Sequence, residues 1–259
     1  MGPQDVRVRK TGLTSACPDT NGAPDMAEID KTAIRNAATV IVLRDRDSAP
    51  AILMGQRGAK AAFMPNKFVF PGGAVDPTDA AVPLIQDFAE PCFSRLATDA
   101  PAGMQRALGA AAVRELWEET GLILGRPGAW PADPHPDWHS FAQMGFLPTA
   151  APLQYVFRAL TPPGRPRRFD ARFFLVDATH IQGDLDDFSH ASEELSHLQW
   201  IPLTEARGFD LPFITEVVLA EVESRLHTDT PPSSVPFFKN NDEASLFLRL
   251  RGHPMPGTA

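Results

Sequence analysis

The feature that most constrains this chain is a helical run that ends in acid. From 102 to 120 the residues are dominated by Ala, Leu, Met, Glu and Arg, which are strong helix formers. Gly121 follows, the residue favoured just past a helix C-terminus. Glu115, Glu118 and Glu119 stand in the last two turns. Residues three and four apart are neighbours on a helix, so the three carboxylates project to one side. Like charges at this spacing, and acids at the negative end of the helix dipole, each cost roughly some tenths of a kcal/mol. A hard divalent cation resolves that conflict, and carboxylate oxygens suit Mg2+ or Mn2+. The same triplet also describes an ordinary solvated face, so its surroundings decide.

Those surroundings are strands. β-Branched and apolar runs at 37–43 and 51–54, and a short run at 68–70, precede the helix, and the last is stopped by Pro71-Gly72-Gly73. Residues 79–100 have helical composition but are interrupted by Pro83 and Pro91. Residues 125–137 read as a loop, and Asp137 as the cap of a short helix over 138–144. Further strands are expected at 153–160, 168–176 and 196–201, and an amphipathic helix at 211–226. Strands on both sides of a long helix indicate an α+β architecture, and the strict alternation of a doubly wound sheet is absent.

The expected domains are a disordered N-terminal arm over 1–33, a catalytic domain over 34–228, and a C-terminal extension over 229–259 apolar enough in its middle to dock. With 24 basic against 32 acidic residues the net charge is −8. That gives no general reason to expect nucleic acid or an anionic membrane as partner. Arg167, Arg168 and Arg172 are a local exception that could meet phosphate. Cys17 and Cys92 lie outside any CxxC or Cys/His cluster, so zinc and disulfides are not expected. No apolar run approaches bilayer length and no signal-peptide pattern is present, which makes a cytoplasmic protein the default expectation. Oligomeric state stays open, with a homodimer one option.

The residues around the triplet carry a resemblance. Arg114, Glu115, Leu116, Glu118, Glu119, Gly121 and Leu122 match the second half of the Nudix box, Gly-x5-Glu-x7-Arg-Glu-U-x-Glu-Glu-x-Gly-U with U aliphatic. Its first half begins at Gly73, and Asp79 stands where the pattern has Glu. Ala80 to Val113 is 113 − 79 = 34 residues where the pattern has seven, an insertion of 34 − 7 = 27. The split box, Phe63-Met64-Pro65, Val69-Phe70-Pro71-Gly72-Gly73 and the run from Arg167 to Phe174 resemble the branch that includes peroxisomal coenzyme A diphosphatases with the same long insert. The resemblance covers about 36 to 226. It implies a Nudix fold, a mixed β-sheet sandwiched between α-helices, with a helical insert over 80–106.

The resemblance also implies roles. Glu118 and Glu119 are expected as the main Mg2+ ligands, Glu115 as ligand or base, and Arg114 as the group that orients the carboxylates. Gly72 and Gly73 let their loop pack on the helix, and the Gly73 carbonyl is a candidate ligand. Glu194, ahead of Trp200, is a candidate further ligand. Arg57, Arg168 and Arg172 are candidates for substrate phosphate. The expected reaction is Mg2+-dependent hydrolysis of a phosphoanhydride in a small nucleotide substrate, with CoA or acyl-CoA leading. Two alternatives are weighed: a hydrolase of ADP-ribose or another dinucleotide, and a non-catalytic Nudix sensor that binds a nucleotide.

Overall fold

The computed structural model describes residue 2 and residues 33–61, 63–228, 230–240 and 245–250. All elements named below lie in the unit Lys31–Ala259. The expected arm over 1–33 falls almost wholly outside the described residues.

The first strand organises the rest. β1 (Ile34–Arg44) pairs with β2 (Ala51–Arg57) at Leu43↔Ile52, and with the short β4 (Gly72–Ala74) at Ala38↔Gly73. β3 (Phe68–Val69) adds to β2. Two helices follow, the five-residue α1 (Cys92–Leu96) and the long α2 (Met104–Thr120). Next come β5 (Gly125–Pro127), α3 (His139–Gln143) and β6 (Phe146–Pro148), with β5 and β6 forming a separate two-stranded pair. β7 (Gln154–Leu160), β8 (Arg168–Asp177), β9 (Leu195–Pro202), α4 (Phe213–Glu223), β10 (Val235–Asn240) and β11 (Ser245–Leu250) complete the described elements.

The main sheet runs β11-β10-β7-β8-β1-β2-β3, with β4 also on β1 and β9 also on β2. It is mixed: β8 pairs parallel with β1 and β10 parallel with β7, and the other pairings are antiparallel. Its central strands bury both faces, which explains their near-continuous apolar runs. Ala38, Val40, Val42, Phe174 and Val176 join α2 in one core cluster. Ile41, Leu43, Phe173 and Leu175 join α4 in the other. The fold is therefore an α+β sandwich of one mixed sheet between helical layers.

The helix expected at 102–120 is α2, ended at Gly121, whose N–H donates back to Trp117 O at 2.8 Å. The segment 80–106 is less helical than its composition suggested. Beyond a 3-10 turn at Asp79–Ala81, α1 and the start of α2, it follows turns and bends. Pro83 and Pro91 forbid a continuous helix, and Val82, Leu84, Phe88 and Leu96 are instead buried one by one against α2. The loop expected over 125–137 opens with β5.

A buried ionic group ties insert, sheet and tail together. Arg158 on β7 donates to both Asp170 oxygens at 2.8 and 2.7 Å, and to Thr98 O at 3.0 Å in the segment after α1. Its guanidinium lies 4.4 Å from the Phe237 ring centroid on β10. Arg95 on α1 donates to the carbonyls of Pro232 and Ser233 just before β10. Removing one partner of a buried pair strands the other charge in the interior, which typically costs about 3–5 kcal/mol. Asp170→Ala is accordingly expected to lower unfolding free energy by about that amount, read from urea midpoints. A loss no larger than that of the exposed control Glu193→Ala would show that the network does not hold the fold.

Candidate functional site

The site forms where β4 meets the last turns of α2. Gly72 and Gly73 sit between β1 and that helix with no room for a side chain. A Cβ at Gly72, whose φ is +155°, would overlap Ala38 O and Thr39 Cα, and one at Gly73 would overlap the Glu115 carboxylate. Glycine here is a packing requirement that lets the backbone reach the carboxylates. Gly72 N donates to Glu119 Oε2 at 2.7 Å.

Arg114 is the centre of the site. Its guanidinium is buried and donates five hydrogen bonds. Nε and Nη2 meet Asp79 Oδ1 and Oδ2 at 3.0 and 3.1 Å, a two-point pairing of the kind guanidinium planarity favours. Nη1 donates to Glu115 Oε1 at 2.9 Å and to Glu118 Oε2 at 3.0 Å, while Nη2 also reaches Ala74 O at 3.0 Å. One cation thus organises three carboxylates and the glycine loop. Sequence reasoning placed Arg114 as the orienting group. It missed that Asp79, across the insertion, is its principal partner, although Asp79 held the matching place in the box.

Burial works against the charge of all three glutamates. Burial pushes the Glu115 carboxyl up to about 7, against the pull of Arg114 and with the push of Glu118. Burial also raises Glu118, again opposed by Arg114. Glu119 stands well above the ordinary carboxylate range, through burial first and then Glu115, with the Gly72 N–H opposing. Burial alone would lower Arg114, but Asp79, Glu115 and Glu118 outweigh it and raise it.

Glu119 carries the sign of something further. It is 1% exposed, and its Oε1 is buried without a hydrogen-bond partner. Buried carboxylate oxygens without partners are rare, because desolvation is costly. Among the described residues no three acidic, His or Cys side chains stand gathered as a ready-made metal centre. Arg114 takes one oxygen each of Glu115 and Glu118. The donor set is nonetheless all hard oxygen, the chemistry a divalent cation needs.

The loop before β9 closes the site with further charge. Ser192 N donates to Glu118 O at 2.8 Å, tethering the loop before β9 to α2. From that loop Glu194 reaches Arg57 on β2 at 3.2 Å. Glu194 also adds to the push on Glu115 and Glu119, while Arg57 pulls Glu119 down. The structure therefore brings Glu194 and Arg57 to the glutamates, though they are paired with each other.

The basic strand is partly interior. Arg172 is opposite Ala38 in the parallel β1–β8 register, but it is only 1% exposed. Its Nη1 donates to Asn36 Oδ1 at 2.6 Å and Asp170 O at 2.8 Å. Burial lowers it. Alternation on β8 turns Arg172, expected to meet a substrate phosphate, into the interior beside Asp170. Arg168 shares its face and is half-buried, donating to Thr161 O at 3.2 Å.

Comparison with known proteins agrees with this geometry. The family model described as NUDIX domain matches residues 33–221. Nudix hydrolase 7, as a Caenorhabditis elegans relative is named, is 32% identical over 178 residues, 64% of this chain and 51% of its own length. The chain thus spans about half the length of that curated relative. A crystal structure of a NUDIX hydrolase from Alicyclobacillus acidocaldarius is similar at TM-score 0.52 and 29% identity, covering 76% of this chain and 97% of that one. With the family match spanning well over half its length, the chain belongs to the Nudix family.

Proposed function

We propose that the chain is a Mg2+-dependent hydrolase of a phosphoanhydride bond in a nucleoside diphosphate derivative, with CoA or acyl-CoA as the leading substrate. The observation that supports this best is the buried Arg114 holding Asp79, Glu115 and Glu118 in one network beside the unpartnered Glu119 Oε1. Nudix hydrolases generally use divalent metal cations. In this reading Glu118 and Glu119 are the main ligands of Mg2+, with Mn2+ an alternative, and Glu115, the Gly73 carbonyl and Glu194 are further candidates. The bound cation supplies charge neutralisation on the diphosphate and acidifies water.

The chain's own groups do the rest. Glu115, with a carboxyl pushed up to about 7, is matched to accept a proton from water near neutrality. Arg114 fixes the Glu115 and Glu118 carboxylates in place and is a positioning residue. Gly72 N fixes Glu119. Arg57 and Arg168 are candidates to meet substrate phosphate, Arg57 by releasing Glu194. No covalent enzyme intermediate is required. The CoA assignment rests on the branch resemblance, and ADP-ribose and other dinucleotides are the competing substrates. Retention of Glu115, Glu118 and Glu119 favours catalysis over a sensor role.

Purified protein with Mg2+ and a panel of CoA, ADP-ribose, NADH and diadenosine polyphosphates, with products identified by mass, tests this directly. Cleavage of CoA to 4′-phosphopantetheine and 3′,5′-ADP is the expected result. Cleavage of ADP-ribose or a dinucleotide alone would replace the CoA assignment, and no cleavage of any would favour the sensor.

Glu119→Gln keeps shape and removes charge. It is expected to lower kcat by about 100-fold or more, the scale of a lost acid–base or metal-positioning group, with an unchanged circular dichroism spectrum. Activity equal to the parent at matched Mg2+ would remove Glu119 from the machinery.

The raised carboxyls also set a pH dependence of stability. An unfolded glutamate titrates at about 4.3, and burial pushes Glu115 in the folded chain up to about 7. Between the two the folded state binds more protons, so stability falls as pH rises through that window. In EDTA the Tm is expected to be lower at about pH 7.5 than at about pH 5.5 through this group. Mg2+ should recover part of the loss at the higher pH by binding the ionised carboxylates. A Glu115→Gln protein should lose part of the pH difference, the remainder belonging to the raised Glu118 and Glu119, and an unchanged difference would contradict the assignment.

A further inference from the structure

A concavity lies beside the turn that carries Asp79, the partner of Arg114. It has a volume of about 290 Å3 and lies between the 3-10 turn that follows Thr78 and the 130–138 loop. Ala81 and Val82 form one wall, Trp130 and Trp138 the other, with Pro134 closing one side. Both walls are tied to the carboxylate network. Asp79, which pairs with Arg114, opens the turn that contains Ala81. Trp138 packs edge-on against Phe141 at 5.3 Å between centroids, and Phe141 in turn against Trp117 on α2 at 5.8 Å. Trp117 lies between Glu115 and Glu118, and its Nε1 donates to Ser140 Oγ at 2.9 Å.

The lining has a particular chemistry. The Trp130 indole is half-buried and held at one end, its Nε1 donating to Phe146 O at 2.9 Å. Its ring lies 5.6 Å from that of Trp138. Trp138 is 1% exposed, and its own Nε1 has no hydrogen-bond partner, unusual for a buried indole. The rim is polar, with Asp133 and with His135, whose Nδ1 lies 3.1 Å from Asp137 Oδ2. An aliphatic chain would use the walls and leave the rim idle. A planar heteroaromatic base uses both: its face stacks on indole, its ring nitrogens accept and its exocyclic amine donates. A volume of about 290 Å3 is at the lower end for ligand sites, right for one ring system and too small for a whole dinucleotide.

We propose that this pocket is the subsite for the base of the nucleoside diphosphate derivative, placing the ring between the Asp79–Ala81 turn and Trp130 while the diphosphate meets the glutamates of α2. Only the meeting of the diphosphate with the glutamates of α2 rests on the hydrolase reading. The pocket predicts base recognition whether or not turnover occurs.

The test is calorimetric titration with ADP and with ribose 5-diphosphate, which lacks only the base, in Ca2+ in place of Mg2+. Ala81 is exposed, so Ala81→Phe fills the pocket without cutting the core. It should weaken ADP by about ten-fold or more, the scale of a lost base–aromatic stack, and so lower the ratio of ADP affinity to ribose 5-diphosphate affinity by about that factor. Trp130→Ala should do the same. Trp130→Phe, which also loses the bond to Phe146 O but keeps a ring face, should recover most of the ratio. Equal affinity of the parent for the two ligands, absent ADP binding, or parallel losses on both ligands in the variants would each overturn the subsite. Base-dependent binding that the filler abolishes, in a protein that cleaves no substrate, would sustain the subsite and sink the hydrolase reading.

Discussion

Everything at the site depends on Arg114 being inside the protein. Three glutamates within five residues on one helical face repel one another, and burial raises all three toward neutrality. A guanidinium in water would relieve little of that, because exposed pairs are weak. Buried, with its five N–H groups each given an acceptor, it is fixed in orientation and fixes its partners in turn. The arrangement leaves Arg114 two-point bonded to Asp79 and with single bonds to Glu115 and Glu118. The glutamates therefore each keep an oxygen outside Arg114's grasp, and Asp79 keeps none. That asymmetry separates the carboxylate that serves the frame from those available for chemistry.

The backbone solves the next problem, which is reaching the carboxylates at all. β1 carries β8 along one edge and divides the other between β4 and β2. That division lets Gly72–Ala74 leave the direction of β3 and run beneath the end of α2. Two glycines are needed since one abuts the β1 backbone and the other the Glu115 carboxylate. The Gly72 N–H then replaces a water donor for Glu119. The sandwich makes this rigid, because β1 is buried on both faces and cannot give way.

Much of this was legible in the chain. Helix α2 and its acidic end follow from propensity and spacing, and the central strands follow from β-branched runs bounded by turn residues. What was hidden involves partners distant in sequence. Arg168 and Arg172 share a face by alternation. That Arg172 is interior, bonded to Asn36 and Asp170, has no sign in the local pattern. Asp79 and Arg114 are 35 positions apart, so no helical or strand period links them. The apolar residues of the insert looked helical by composition because burial selects the same residue types whether or not they lie on one helix face. The Trp130–Trp138 pocket is likewise assembled from a loop and a turn with nothing periodic in either.

A long insert between Asp79 and Arg114 costs their pairing little, and magnitudes show why. Lengthening the connection from seven to 34 residues adds loop-closure entropy of about 1.4 kcal/mol, since the cost grows only with the logarithm of length. Full burial of a single Val, Leu or Phe side chain returns about 1.5–3 kcal/mol. The insert buries Val82, Leu84, Phe88 and Leu96 in the core around α2. Ordering its backbone costs more than closure does, and there its polar bonds matter: Arg95 to the carbonyls of Pro232 and Ser233, Arg158 to Thr98 O, and Arg106 to Asp87 at 3.0 Å. The insert is thus held by its own core and by the sheet, so its first turn can present Asp79 to Arg114 as firmly as an unbroken box would. Its cost to the carboxylate network is small because closure entropy is small, and its walls are then free to shape what lies beside the glutamates.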